Sequence, residues 1–187
     1  YNNDFWLKLG TEIEPIENWK TNVDYSWNYG GGRYTMHKKT VYMPLVDGSE
    51  FEFRYPNPSF TEQYGNKEYY IFNVRSSYEF SLGGHNFLTM VGYEEEYMEN
   101  MGMGGEKMGV ITPEVPSLST ATDEFFLEHN WSHWSTQGIF IRQSYNFKEK
   151  YLFEFNARYD GSSRFAEAKQ KWGVFPSASV GYKISEE

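Results

Sequence analysis

The stretch Trp19-Lys20-Thr21-Asn22-Val23-Asp24-Tyr25-Ser26-Trp27-Asn28-Tyr29 alternates between two kinds of side chain without an error. Its odd positions are aromatic or aliphatic, with one threonine, and its even positions are all polar. Successive side chains of a strand point to opposite faces, so this pattern predicts a strand with one apolar and one polar wall. The length matches the ~9–11 residues that a tilted strand needs to cross a bilayer. Aromatic residues at both ends of the apolar wall are typical of membrane strands, although a strand of a soluble sandwich can alternate in the same way.

The composition suits alternating strands and excludes several other classes of protein. The 187 residues are 20% aromatic, yet the mean hydropathy is −0.71, as happens when each apolar residue has a polar neighbour. No run approaches the ~18–20 apolar residues of a spanning helix. The absence of cysteine excludes disulfides and thiolate metal sites, and a net charge of −9 argues against a nucleic-acid groove.

Seven strand-like runs can be recognised by their alternation. They cover residues 5–13, 19–29, 69–80, 87–97, 139–147, 151–159 and 172–184. The connections between them are alternately short and longer. The short ones are 14–18, 81–86 and 148–150, the longer ones are 30–68, 98–138 and 160–171, and residues 185–187 resemble a further turn. Outer-membrane barrels alternate in this way because tight turns lie at the periplasmic rim and extended loops lie outside the cell. The sequence therefore predicts an all-β fold, an antiparallel transmembrane β-barrel.

Seven strands cannot close a transmembrane barrel, because an open edge would leave unsatisfied backbone groups in lipid. The chain also shows no signal peptide and enters a strand-like run almost at once. We therefore expect residues 1–187 to be a section of a larger barrel, with further strands before and after them.

A specific resemblance covers the last part of the chain. It rests on Arg158-Tyr159-Asp160-Gly161-Ser162-Ser163-Arg164-Phe165 followed by Trp172-Gly173-Val174-Phe175-Pro176-Ser177-Ala178-Ser179-Val180-Gly181-Tyr182. The preceding Tyr145-Asn146-Phe147-Lys148-Glu149-Lys150-Tyr151-Leu152 and the shorter Val91-Gly92-Tyr93-Glu94 add to it. Together they resemble the signature of SusC/RagA-type TonB-dependent outer-membrane transporters. The match is close over residues 139–187 and rests on strand pattern elsewhere.

This resemblance implies a larger transporter with further domains and partner proteins. Such transporters have an N-terminal plug inside a barrel of about 22 strands, the size class of plugged outer-membrane transporters. TonB supplies energy through a periplasmic segment, and a SusD-like surface lipoprotein caps the mouth and passes in oligosaccharides or peptides. The resemblance places the protein in the outer membrane of a Gram-negative bacterium, in contact with lipid. The plug and the TonB-contacting segment are absent from residues 1–187.

The signature also has a reading in terms of backbone chemistry. Asp160, Gly161, Ser162 and Ser163 are turn-forming residues, with glycine free to adopt positive φ. Pro176 removes a hydrogen-bond donor from a barrel without edges, so we expect a bulge or a strand end there. The simplest role of both features is to maintain the shape of the barrel.

Two sets of residues are candidates for contact with other molecules. Trp131 and Trp134, predicted on a long loop, could stack on sugar rings or peptide side chains, although anchoring the outer aromatic girdle is an equally simple role. The second set is predicted to face the lumen, where its charges could contact substrate or hold the plug by ion pairs. We favour contact with the plug, because a filled lumen must compensate its charges internally. Its members are Arg75, Arg142, Glu154 and Arg158.

Other clusters have simpler explanations than chemistry. His129 and His133 have the spacing of metal ligands on a helix, but they are expected to be polar loop residues. The Met- and Gly-rich segment 98–108 is expected to be a flexible loop, and the run Glu94 to Glu96 an acidic rim. No motif of a nucleophile, phosphate loop or dinucleotide fold is present, so we predict neither an enzyme nor a cofactor.

The sequence thus predicts part of a TonB-dependent importer without covalent chemistry. The alternative is a non-transporting surface barrel, an adhesin or an assembly component. A plug domain before the barrel would indicate transport, whereas a passenger domain would indicate surface display.

Overall fold

The computed structural model describes residues 1–55, 57–165 and 171–184, and strands dominate these residues. They are β1 (Asn2–Ile16), β2 (Trp19–Lys38), β3 (Val41–Pro44), β4 (Glu50–Arg54), β5 (Ser59–Leu82), β6 (His85–Met108), β7 (Phe125–Phe147), β8 (Tyr151–Ser162) and β9 (Trp172–Tyr182). No helix among these residues is both long and apolar enough to cross a membrane. The all-β prediction is confirmed.

Seven of the strands form one sheet in chain order, β1-β2-β5-β6-β7-β8-β9, as the alternation predicts. The remaining two, β3 and β4, pair with each other as a separate antiparallel hairpin inside the β2–β5 connection. Each strand of the sheet pairs with the next strand of that sheet along the chain. Long crossover connections, which parallel sheets require, are therefore not needed. The seven described strands form an open sheet with β1 and β9 at its edges.

The strands are longer than their alternation indicates. β2, β5, β6 and β7 have 20, 24, 24 and 23 residues, so the connections predicted as 30–68 and 98–138 shrink to 39–58 and 109–124. The additional strand residues include glycines and polar groups such as Gly30–Arg33, which interrupt the alternation. A strand that leaves the bilayer no longer needs an apolar wall, but its backbone groups still need partners. The alternation of apolar and polar side chains therefore ends before the backbone hydrogen bonds of the strands do.

The short turns are confirmed and use residues with positive φ. Asn18 has φ 66° in the first turn, Gly83 and Gly84 have φ 59° and 81° in the second, and Lys148 and Glu149 have φ 53° and 57° in the third. Glycine adopts this conformation without steric cost, whereas the other residues do so at a small cost. The turn predicted at residues 185–187 lies outside the described residues.

Contacts divide the chain into two compact units. The first contains Tyr1–Phe5, Tyr29–Lys67 and Glu99–Ser132, and the second contains Trp6–Asn28, Glu68–Met98 and His133–Glu187.

In the second unit, the register of β7, β8 and β9 separates an apolar face from a polar one. Side chains directly opposite each other share a face, and the pairs Ile139↔Tyr159↔Val174 and Tyr145↔Phe153↔Val180 are apolar throughout. The apolar face contains Ile139, Ile141, Tyr145, Phe147, Tyr151, Phe153, Phe155, Ala157, Tyr159, Trp172, Val174, Pro176, Ala178, Val180 and Tyr182, with Gln137 and Gln143 as polar members.

Aromatic pairs close this apolar face at both ends. Tyr159 stacks on Trp172 with ring centroids 4.9 Å apart, and Tyr151 packs on Tyr182 at 5.3 Å. The eleven residues of β9 between these pairs span about 33 Å at ~3.3 Å per residue. At a strand tilt of about 40° this length projects to roughly 25 Å, the height of the apolar band of membrane barrels.

Pro176 lies inside a continuous ladder, so the bulge or strand end predicted there is wrong. Residues 172–182 pair with residues 151–161 without a register shift, and Pro176 is opposite Ala157. A ladder tolerates proline where its nitrogen points away from the partner strand. Alternation predicts the face of Pro176 but not whether its nitrogen points toward or away from β8.

In the first unit, the 109–124 connection folds back on itself around a small core. Val110 forms a bridge with Ala121, and both pack with Phe60 and Leu118. The Gly109 N–H, at a φ of 73°, donates to the Pro58 carbonyl at 2.8 Å. The connection is therefore an ordered loop with its own apolar contacts.

Candidate functional site: the polar face of the strands

The four predicted lumen residues all lie in the second unit, on the polar face of their strands. Arg142, Glu154 and Arg158 fall at register positions opposite Asn156, Ser144 and Phe140, on the face away from the apolar wall. Arg75 of β5 bonds to Asp24 on the polar wall of β2. The sequence placed these residues on the correct face because alternation alone determines it.

Arg158 and Arg75 are already neutralised by carboxylates of the same sheet. Arg158 Nη2 lies 3.3 Å from Glu94 and its Nε is 3.0 Å from both oxygens of Asp160. Arg75 Nη2 donates to Asp24 at 2.9 Å. Their charges are therefore compensated within the sheet, and a further acidic partner would have to compete with these carboxylates.

Arg142 and Glu154 differ, because neither has an ion-pair partner among the described residues. Arg142 Nε donates to Asn156 Oδ1 at 2.8 Å, and the Asn156 amide donates to Glu154 at 2.9 Å. Ser144 also donates to Glu154, at 3.3 Å. Asn156 thus holds a cation and an anion on either side of it, close enough for their charges to act on each other.

A cavity of about 510 Å³ opens beside Glu154, next to the second and third short turns. Its polar walls include Glu79, Asn86, Ser144 and Ser179, and two carboxylates face it. Alternation put Glu79 on the polar side of its strand, but sequence reasoning did not select it. Its proximity to Glu154 arises from the pairing of strands far apart in the chain.

Trp131 and Trp134 lie on strand β7, so the prediction of a loop position is wrong. Residues three apart on a strand point to opposite faces, so the two indoles cannot line one site. The Arg164 guanidinium lies 3.9 Å from the Trp134 ring centroid and covers one side of it. Trp131 is 61% exposed and retains accessible aromatic surface.

The acidic run of β6 is hydrogen-bonded on both faces and does not form a solvated rim. Tyr70 and Tyr93 donate to Glu95 at 2.8 and 2.6 Å, and Tyr69 donates to Glu96 at 2.5 Å. Glu94 pairs with Arg158 as described above. The interpretation of this segment as an acidic rim was therefore wrong, because tyrosine hydroxyls on neighbouring strands satisfy its carboxylates.

Two other segments predicted as loops are also strands. The Met- and Gly-rich segment belongs to β6, and His129 and His133 belong to β7. Residues four apart on a strand are about 13 Å apart, so the helical spacing that would suit a metal does not exist here. His133 instead lies 6.5 Å from the Tyr97 ring, centroid to centroid.

In the first unit, Glu106 joins three strands. Lys38 of β2 and Ser59 of β5 both donate to Glu106 Oε1, at 2.7 and 2.6 Å. The hydrogen bond from Lys38, with a further one from Ser59, lowers the pKa of the Glu106 carboxyl. The hydrogen bond to Glu106 likewise raises the pKa of the Lys38 ammonium. The pair is therefore ionised throughout the neutral range.

The signature motif acts chiefly through close packing. Asp160, Gly161 and Ser162 are the last residues of β8, so the turn expected there starts only at Ser163. A Cβ atom at Gly161 would lie 2.6 Å from the Trp172 ring, so the glycine makes room for the indole. Ser163 then forms two hydrogen bonds with Ser135 of β7. Its N–H donates to the Ser135 carbonyl, and its Oγ accepts from the Ser135 N–H.

Comparison with known proteins gives consistent matches. The family model of the TonB dependent receptor-like β-barrel matches residues 1–187. The TonB-dependent receptor SusC of Bacteroides thetaiotaomicron is 34% identical over 117 residues, 62% of this chain and 11% of that protein. The TonB-dependent receptor P3 of Formosa agariphila is 28% identical over 142 residues, 75% of this chain and 13% of that protein.

Solved structures agree on the fold. The structure of the RagAB peptide transporter matches with a TM-score of 0.84 and 19% identity, covering all of this chain and 20% of that one. The structure of the ferric citrate transporter FecA matches with a TM-score of 0.53 and 12% identity, covering 98% of this chain and 25% of that one. The chain thus spans about a tenth of the curated relatives and up to a quarter of these solved chains.

Proposed function

Because the chain belongs to the TonB dependent receptor-like β-barrel family, we propose that it is a wall section of an outer-membrane importer. Residues 1–187 would form about seven strands of a plugged barrel, with the plug and the remaining strands contributed by other parts of the polypeptide. The relatives are receptors and not enzymes, in agreement with the prediction that the chain carries no covalent chemistry.

The observation that carries this proposal is the family match over the whole chain. The two faces of the sheet support it, because a continuous apolar face about 25 Å high with aromatic ends suits a bilayer. The opposite face carries Arg142, Glu154 and the cavity beside Glu154, which suits an interior that holds a plug and guides polar cargo.

We propose that Arg142 and Glu154 contact the plug. Both are held by Asn156 and lack an ion-pair partner among the described residues, and a charge buried by a plug must be compensated. Arg75 and Arg158 act within the wall, where Arg75 joins β5 to β2 and Arg158 joins β8 to β6. Trp131 is the better of the two tryptophan candidates for cargo contact, because Trp134 is covered by Arg164.

The partners follow from the same family membership. TonB would act through the part of the protein that precedes the barrel, and a SusD-like lipoprotein would dock on the rim that carries connections 39–58 and 109–124. The cargo would be an oligosaccharide or a peptide. The similarity to SusC and to the fold of the RagAB peptide transporter supports this choice.

Uptake by cells with and without TonB tests the proposal. Labelled oligosaccharide and peptide mixtures are offered to cells that express the full-length protein, and to matched cells that lack it. We expect accumulation that depends on the protein and is lost when TonB is deleted. Accumulation that continues undiminished without TonB would contradict the importer proposal and favour a display or assembly barrel.

A further inference from the structure

A cavity of about 360 Å³ opens in the first unit, on one face of four neighbouring strands. This volume lies in the ~300–1,000 Å³ range of small-molecule sites. Strands β2, β5, β6 and β7 all contribute to its lining, and each of them has a neighbour on both sides in the sheet. None of the lining residues has a part in the function proposed above.

The face on which the cavity lies follows from side-chain contacts between its strands. Arg33 of β2 and Glu62 of β5 form an ion pair on one face. Tyr34 and Gln63, the next residues along the two strands, therefore lie on the opposite face, because successive side chains alternate. A Cβ atom at Gly104 of β6 would overlap the Gln63 side chain, so Gly104 shares this second face. The cavity lies on the second face, since Tyr34, Gln63 and Gly104 all line it.

Strand β7 adds two polar side chains to the same face. A Cβ atom at Gly105 would lie 2.5 Å from the Phe125 ring, so Phe125 is on the face opposite to Gly104. Glu128 and Asn130 are three and five positions beyond Phe125, and such odd separations place them on the cavity side of β7. Both residues line the cavity.

Sequence parity assigns the cavity to the polar face of its strands. Gln63 is an even number of positions from Arg75 in β5, and Asn130 is an even number from Arg142 in β7. Residues of one parity share a face of their strand. In the proposed barrel this face lines the interior, at the strand ends that lead into connections 39–58 and 109–124.

Glycines keep the middle of the cavity open. A Cβ atom at Gly65 would have its nearest neighbour from another strand at 3.6 Å, and one at Gly102 at 3.9 Å. In both cases this neighbour is a backbone oxygen. Neither glycine has a positive φ, so the backbone conformation does not require glycine here. A larger residue at either position would project its side chain into the cavity.

The walls supply hydrogen-bonding groups and one aromatic ring. The side chains of Gln63, Glu128 and Asn130 have no hydrogen-bond or ion-pair partner among the described residues. Tyr34 is 51% exposed and keeps accessible ring surface. Amides donate and accept, a carboxylate accepts from two hydroxyls at once, and an aromatic face packs on apolar ring surface. This combination suits a sugar ring with several hydroxyl groups.

The same lining disfavours anionic sugars. Glu128 carries the only charge among the described side chains that line the cavity from this face. Lys67 shares the face, two positions beyond Gly65 in β5, but it does not line the cavity. A uronate or sulfate group would therefore meet a like charge without a compensating cation, which costs binding energy.

Peptides also lack the contacts by which they bind to sheets. A peptide binds through the unpaired backbone groups of an edge strand or through apolar pockets for its side chains. The four strands of the cavity lie inside the sheet. No described aliphatic side chain lines the cavity from this face.

We propose that this cavity binds an uncharged sugar ring of the cargo. The proposal rests on the importer function given above and narrows its cargo to a neutral oligosaccharide. Tyr34 packs against the ring, Gln63 and Asn130 exchange hydrogen bonds with its hydroxyl groups, and Glu128 accepts from two of them. The glycines provide the space that the ring occupies.

Isothermal titration calorimetry of the purified full-length protein in detergent tests this proposal. The neutral probes are hexasaccharides of α-linked glucose, β-linked glucose, xylose and mannose. The other probes are hexagalacturonate and an alanine hexapeptide. Each probe is titrated into the wild type and three variants.

The variants separate the cavity from the rest of the protein. Gly102→Leu fills the cavity. Its matched control is Gly31→Leu, which adds the same side chain to the opposite face, where a Cβ atom would have its nearest neighbour at 3.7 Å. Asn130→Ala removes hydrogen-bonding groups without adding bulk, so it tests the site even if leucine at position 102 prevents folding.

We expect at least one neutral hexasaccharide to bind, and the uronate and the peptide to bind at least about tenfold more weakly. Gly102→Leu should weaken the binding by about tenfold or more, and Asn130→Ala by about fivefold, the effect of one hydrogen bond. Gly31→Leu should bind as the wild type does.

The absence of binding by every neutral probe would overturn the proposal, as would a preference for the uronate or the peptide. Equal affinities of Gly102→Leu and Gly31→Leu would do the same. Because the titration uses no TonB, its failure is distinguishable from a failure of the importer proposal. TonB-dependent uptake of peptides alone would contradict the sugar site and leave the importer function intact.

Discussion

At the scale of single residues, the assignment of the two faces makes a direct prediction. Ala178 lies in the middle of the apolar face, opposite Phe155, and its neighbour Ser177 lies on the polar face opposite Asn156. In the full-length barrel, Ala178→Arg should lower the free energy of unfolding by roughly 2–4 kcal/mol, because it buries a charge at the middle of the bilayer. Reversible unfolding in lipid vesicles gives this value.

Ser177→Arg is the matched control for this prediction, since it places the same side chain one position away on the other face. We expect it to cost clearly less than Ala178→Arg. Equal costs for the two variants would contradict the face assignment.

Glu106 makes a prediction about pH at the same scale. Its carboxyl has a lowered pKa in the folded protein, so its ion pair with Lys38 contributes stability above the ordinary carboxyl pKa. This contribution is lost as the pH falls through the lowered value. Because both side chains are partly exposed, it should amount to no more than ~0.2–1 kcal/mol.

Hydrogen exchange of the first unit between about pH 3 and 6 measures this effect. Wild-type protection of β2 and β6 around Lys38 and Glu106 should decrease toward the acidic end. Glu106→Gln keeps the shape of the side chain and should abolish the decrease. A pH profile unchanged by the substitution would show that the pair contributes nothing.

At the scale of the elements, close packing between strands explains the Val91-Gly92-Tyr93 motif. A methyl group at Gly92 would overlap the Phe140 ring and approach the Val74 carbonyl to 3.0 Å. Gly92→Ala should therefore destabilise the barrel by about 1–3 kcal/mol, the usual cost of overpacking. The double variant Gly92→Ala with Phe140→Leu should recover part of the loss.

Gly181→Ala is the control for this experiment, because its added methyl group would have its nearest neighbour, a Leu152 atom, at an ordinary 3.5 Å. Unfolding of all variants in the same lipid gives the interaction energy between positions 92 and 140. Additive effects of the Gly92 and Phe140 substitutions would contradict the packing explanation.

The hairpin of β3 and β4 and the ordered 109–124 connection show what alternation cannot detect at this scale. Connection 109–124 depends on Val110, Ala121 and Phe60 meeting from distant parts of the chain. A two-stranded hairpin is marginal alone, and Val41, Met43, Phe51 and Phe53 leave it with exposed apolar surface. Neither segment carries an extended alternating pattern, so the sequence presented both only as long loops.

At the scale of the whole molecule, the order of short and long connections predicts the orientation in the membrane. Val46 lies at the tip of the β3–β4 hairpin and is fully exposed, and Lys150 lies in a short turn. Because the chain has no cysteine, Val46→Cys and Lys150→Cys each introduce a single thiol into this segment. A membrane-impermeant maleimide should label the first on intact cells and the second only after permeabilisation.

Labelling in a cysteine-free background of the full-length protein excludes thiols outside residues 1–187. The reverse result, with Lys150→Cys labelled from outside and Val46→Cys protected, would invert the proposed topology.

The sequence by itself determined the faces, the number of strands in the sheet and the places of the short turns. Alternation is a local property of two successive residues, so Arg75, Arg142, Glu154 and Arg158 could be placed on the polar face without knowledge of the fold. The positive-φ positions likewise follow from local backbone chemistry, as at Gly83 and Gly84. The resemblance of residues 139–187 to a transporter signature supplied the family.

Only the tertiary structure decided where the strands end, which charges are compensated and what the signature glycines do. β6 continues through a Gly- and Met-rich segment because its neighbours supply hydrogen bonds, although its side chains no longer alternate. Arg158 is neutralised by Glu94, 64 residues away in the chain, while Arg142 is held by the side-chain amide of Asn156. These outcomes depend on which residues of different strands the register brings side by side, whereas alternation determines only the face on which each residue lies.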